Sequence, residues 1–95
     1  MRLTRTTISV AGVEIPALYR RGLAIHREPD GRGYAIRHVR SGLRVVGRTF
    51  LTLREARAAL ARLLDLPVDW MADRDELVRQ CEPFLERIIE AAGGR

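Results

Sequence analysis

Residues 33–60 restrict the fold more than any other stretch, because strand, turn and helix-start signals follow one another there without a gap. Gly33-Tyr34-Ala35-Ile36-Arg37-His38-Val39 reads as a strand, Ser41-Gly42 as a turn, and Leu43-Arg44-Val45-Val46-Gly47-Arg48-Thr49-Phe50 as a second strand. Thr52 and Glu55 then form a Thr-x-x-Glu capping box, which satisfies two orphan N–H groups and fixes where a helix begins. Leu53, Ala56, Leu60, Leu63 and Leu64 follow helical spacing as a core stripe, while Arg54, Arg57 and Arg62 point away from it. A hairpin that runs directly into such a helix has its apolar face covered by that helix. With a two-residue turn, Tyr34, Ile36, His38, Leu43 and Val45 share the helix face. Ala35, Arg37, Val39, Arg44, Val46 and Arg48 share the other, as a row of alternate arginines.

The flanks extend this unit. Alternation from Thr6 to Val10 and from Val13 to Tyr19, around Ala11-Gly12, reads as a hairpin with Ile8 and Val10 facing Val13 and Ile15. Pro16 removes a ladder donor, so its strand is an edge or ends there. Leu23–Glu28 is a further strand, with Leu23 and Ile25 on the helix face and Ala24 and His26 on the other. It closes on Pro29-Asp30-Gly31-Arg32-Gly33, a strong turn signal. Pro67 ends the first helical run. Asp73 and Glu76 start a second, whose stripe is Leu77, Cys81, Phe84, Leu85, Ile88 and Ile89. Pro83 lies inside this pattern and predicts a kink or break near Gln80–Glu82, and Gly93-Gly94-Arg95 reads as a frayed end. The order ββ-βββ-αα gives an α+β domain: a small antiparallel sheet, made of an N-terminal hairpin plus a three-stranded meander, packed on two C-terminal helices. At 95 residues this is a single domain. Its parts are the hairpin (1–20), the meander with its helix (21–66) and the C-terminal helical segment (67–95).

Charge gives the first indication of a partner. Residues 1–50 hold ten arginines against Glu14, Glu28 and Asp30, a net +7, whereas residues 51–95 hold seven arginines against nine acids, a net −2. Such a split suggests a cationic working half and an acidic supporting half. All 17 basic residues are arginine. A GC-rich coding sequence produces that bias, yet guanidinium forks grip phosphates and guanine edges in a way lysine does not. The single cysteine, Cys81, excludes an internal disulfide and a cysteine-cluster metal site. Met1–Thr7 has basic residues without an apolar run behind them, so no signal peptide is expected and the cytoplasm is the expected location.

Little of this suggests catalysis. His26 and His38 fall on opposite faces and lack a convergent Cys or carboxylate, so no metal site or cofactor is expected. Cys81 sits on the apolar stripe beside Glu82, which suits packing better than nucleophilic attack. Gly31-x-Gly33 precedes a strand rather than opening a helix, so it is no phosphate loop. Trp70 reads as a plug between the helices.

Residues 33–64 resemble the three-stranded-sheet-plus-helix DNA-binding domains, namely the arm-type domain of tyrosine integrases and the ethylene-response-factor domain. The matching residues are Gly33-Tyr34-Ala35-Ile36-Arg37, the basic strand around Arg44-Val45-Val46, and Phe50-Leu51-Thr52-Leu53-Arg54-Glu55-Ala56. In those families the sheet enters the major groove. The resemblance therefore implies base and phosphate contacts from Arg37, Arg44 and Arg48, with His26 on the neighbouring strand. Arg27, Arg32 and Arg40 flank this row.

The sequence thus leads to a small non-enzymatic protein that binds nucleic acid, foremost duplex DNA, and comes from a phage or mobile element. The alternative is a protein–protein interaction module, such as a small phage-encoded inhibitor of a host or defence complex, suggested by Ala35, Val39 and Val46 on the polar face. A homodimer through Phe84, Leu85, Ile88 and Ile89 is the expected assembly, against the alternative that this stripe closes the monomer core. No membrane partner is expected.

Overall fold

Two hairpins begin with the same device. In a computed structural model of the chain, which describes residues 1–45 and 47–91, β1 (Thr4–Val10) turns into β2 (Val13–Arg20) through Ala11 and Gly12, at φ 51° and 80°. β2 turns into β3 (Leu23–Arg27) through Arg21 and Gly22, at φ 49° and 97°. Two successive positive φ values are what a type I′ turn needs, and its twist matches that of the strands it joins. The β3–β4 connection is longer. The Glu28 N–H donates to the Gly33 carbonyl, and the Gly31 N–H to the Glu28 carbonyl, before β4 (Tyr34–His38). The four strands form one antiparallel sheet in sequence order, so the N-terminal hairpin extends the meander sideways rather than lying over it.

Among the described residues of 43–50, the expected fifth strand is reduced to two isolated bridges. The His38 backbone N–H donates to the Leu43 carbonyl, and the Gly42 N–H to the His38 carbonyl, so the turn spans Val39–Gly42 rather than two residues. Arg44 bridges Arg37, and Phe50 bridges Tyr34, with residues 45–49 between them. Between those bridges chain 44–50 has more residues than β4 can pair, so Arg48 leaves the ladder and the row of alternate arginines is not built. The shorter register differs from the expected one by an even number of residues. For that reason Arg44 still shares Arg37's face and Val45 still packs on the core. Val46, expected on the polar face, lies outside the described residues, as does the 93–95 end.

The helices cover one sheet face. α1 (Leu53–Leu64) starts on Thr52, whose hydroxyl accepts from the Glu55 N–H, as the capping box required. Ala56, Ala59, Leu60 and Leu63 are fully buried against Leu23, Ile25, Ile36 and Phe50. α2 (Arg74–Cys81) is capped by Asp73 on the Glu76 N–H. At Pro83 the helix tightens into a 3₁₀ turn, Glu82–Phe84, before α3 (Leu85–Ala91), which is the expected kink. Trp70 is buried, and its indole N–H donates to the Leu63 carbonyl, closing the end of α1. The expected dimer stripe divides in two: Ile88 is buried in the core and Phe84 half-buried, while Leu85 and Ile89 are exposed. Among the described residues no helix is long and apolar enough to cross a membrane.

Pro16 explains the outline of the sheet. β3 pairs β2 only from Ala17 to Arg20, so the proline, opposite Thr7 of β1, sits where β2 has no β3 neighbour to bond. Beyond it the first hairpin overhangs. On the face away from the helices Ile8, Ala17 and Ala24 form a second, smaller cluster with Val10, Ile15 and Tyr19.

Candidate nucleic-acid interface

The arginines singled out by the sequence fall into three groups. Arg37 and Arg44 share the face away from the helices with His26, and both are committed to internal contacts. His26 is buried (2% exposed) and held by a relay: its Nδ1 lies 2.9 Å from the Arg27 carbonyl, and its Nε2 accepts from Arg37 Nε at 2.9 Å. The ring is thereby a Nδ1–H tautomer whose other nitrogen orients a guanidinium. Arg37 also donates to the Gly42 carbonyl at 2.7 Å, which ties the sheet to the following turn. Arg44 gives one nitrogen to both carboxylate oxygens of Glu28, at 2.8 and 2.7 Å, in a pair whose carboxylate side chain is only 14% exposed.

Arg27, Arg32 and Arg48 are exposed and gather at the other end of β3 and β4. Arg27 is the cross-strand partner of Tyr34 and stands over its ring at 5.9 Å. Tyr34 bridges Phe50, and Arg48 stands over that ring at 5.2 Å. Arg32 lies in the intervening turn, where its backbone N–H is fixed by Asp30. Arg40 is remote from this group, exposed at the opposite end of β4, and donates to the Met71 carbonyl.

Beside this end the helix face of the sheet is left partly uncovered. There a cleft of about 310 Å³ opens, with Leu18, Ile25, Tyr34 and Leu53 in its lining and Arg5 and Arg27 as its cations. Arg5 pairs Leu18 and Leu18 pairs Ile25, so the three form a cross-strand row on one face. Sequence reasoning missed Arg5 and this cleft. The available signal was Pro16, which marks where β3 stops covering β2 and the sheet is left open.

His38 occupies the helix face opposite Leu23, so the two histidines are on opposite faces as the pleat required. Its Nδ1 is 2.7 Å from Ser41 Oγ and accepts from the Ser41 N–H, while its buried Nε2 has no partner among the described residues. Cys81 is partly buried, and that burial pushes its thiol up from the ordinary value, away from thiolate reactivity. Among the described residues no three His, Cys, Asp or Glu side chains converge on a point that could hold a metal ion.

No protein-family model matches the chain, and neither a curated protein nor a solved structure matches it.

Proposed function

We propose that this is a small non-enzymatic cytoplasmic protein that binds the phosphate backbone of duplex DNA. The observation that supports this most is the net +7 of residues 1–50 together with where its exposed members stand: Arg27, Arg32 and Arg48 at one end of β3 and β4, and Arg5 in the wall of the same cleft as Arg27. A predominantly cationic cluster at a sheet end and cleft mouth concentrates the field that draws a polyanion. On this reading the interface lies at the strand ends, with Arg37 and Arg44 serving the framework. Base reading in the manner of the arm-type domains would need a free row of arginines on the sheet, so backbone contact with modest sequence preference is the expected mode. Titration of a mixed-sequence duplex at several salt concentrations tests it. Engagement of about four phosphates gives a log K against log salt slope of roughly −3 to −4. Absence of binding at micromolar protein in low salt refutes the proposal.

The second reading, a protein–protein interaction module, draws on Val78, Leu85 and Ile89, which stand exposed on α2 and α3. Under that reading Leu85→Glu abolishes partner or self-association and leaves DNA titrations unchanged.

A further inference from the structure

β1 is the outer strand of the sheet, and among the described residues no backbone hydrogen bond reaches it from outside its own hairpin. It is seven residues long, most of them exposed, and rich in β-branched side chains: Thr4, Thr6, Thr7, Ile8 and Val10. Few of the usual devices that blunt an edge are present on it. It has no proline, one charged side chain (Arg5), and a one-to-one register with β2 from Thr4 to Val10, without a bulge. An edge of this kind is a template for another extended chain. The cleft described above begins at the same strand, because Arg5 and Thr6 are in its wall and the row Arg5, Leu18, Ile25 leads inward from the edge.

We infer that β1 accepts an extended acidic peptide segment as a fifth strand, with a bulky apolar side chain of that segment reaching the cleft and an adjacent carboxylate meeting Arg5. The backbone ladder supplies affinity. Alternation of side chains brings every second residue of the added strand to the helix face, beside Arg5. Charge selects the occupant: the half of the chain that carries this edge is +7, so a second copy pairing edge to edge would bring two like-charged halves together, whereas an acidic strand is attracted.

The test uses the whole chain and a short synthetic peptide that alternates glutamate with valine around a central phenylalanine, followed by fluorescence anisotropy and amide hydrogen exchange. Binding is expected, with slowed exchange at alternate amides within Thr4–Val10. The same peptide N-methylated along one edge is expected to lose binding. Arg5→Glu, at an exposed site outside the two hydrophobic clusters, is expected to weaken binding about tenfold or more while circular dichroism stays unchanged. A peptide that fails to bind, or binds equally well when N-methylated, overturns the inference. So does slowed exchange at the β1 amides on addition of duplex DNA in place of the peptide, which assigns the edge to nucleic acid. Self-association that protects the same amides assigns it to a second copy and also overturns it.

Discussion

At the scale of single residues, the arginines of this chain differ by what they touch more than by where they fall in the sequence. Arg44 holds Glu28 with two short contacts at a site largely shielded from water, so Arg44→Ala leaves a carboxylate without its partner. A stability loss of about 1–3 kcal/mol is expected in urea unfolding, with the salt slope of DNA binding unchanged. Had Arg44 been a phosphate contact, the slope would fall and the midpoint would hold. Ala11 is strained in the opposite sense: an L residue at φ 51° where asparagine or glycine is at ease. Ala11→Asn is therefore expected to raise stability by about 0.5–1 kcal/mol, read as a higher unfolding midpoint. Gly22 cannot be exchanged in this way. Its φ is 97°, and an added Cβ would run into the Trp70 carbonyl, which lies directly against it. Cys81 offers a pH readout. Since burial raises its thiol above the ordinary value, less thiolate is present at a given pH, and alkylation by iodoacetamide is expected to accelerate only at higher pH than for a free cysteine.

At the scale of elements, the C-terminal segment shows why periodicity alone could not assign its stripe. Phe84, Leu85, Ile88 and Ile89 all satisfy helical spacing, but Pro83 forces a 3₁₀ turn that re-aims the helix after it. Only Ile88 and Ala91 then reach the core fully, and Leu85 and Ile89 remain outside. Ile88→Glu places a charge in that core and is expected to unfold the chain, whereas Leu85→Glu is expected to leave the far-ultraviolet circular dichroism and midpoint unchanged. Equal effects from the two would show that the helix packs by its other side. The missing fifth strand has a similar origin. Residues 43–50 have strand composition, yet a four-residue turn sets the register from one end, and the Phe50 bridge to Tyr34 sets it from the other. The two registers do not agree, and Gly47, Arg48 and Thr49 leave the ladder. Propensity was satisfied locally, but pairing was decided by the two ends.

At the scale of the whole molecule, charge asymmetry and shape meet at one end of the sheet, and a double variant separates them. Arg27→Ala with Arg32→Ala removes two exposed guanidiniums that the core does not use, so the unfolding midpoint is expected to hold and the salt slope to fall by about 2. A large drop in midpoint would instead make these residues structural. The sequence by itself determined the α+β class, the N-terminal hairpin register, both capped helix starts and the break at Pro83. Each of these follows from signals a few residues apart: side-chain alternation, a positive-φ turn, a cap, a missing N–H. It also determined which face Arg37, His26, His38 and Leu23 take, since the pleat leaves no choice once a strand exists. The tertiary structure alone decided that Arg37 and Arg44 are committed to internal contacts. Glu28 is far from Arg44 in sequence, as His26 is from Arg37, and only the sheet's lateral pairing brings each acceptor within reach of its guanidinium. The cleft beside Arg5 has the same cause, because it lies where β3 ends short of Pro16 and α1 contributes only Leu53, at its start, a difference between elements that no single segment of sequence contains.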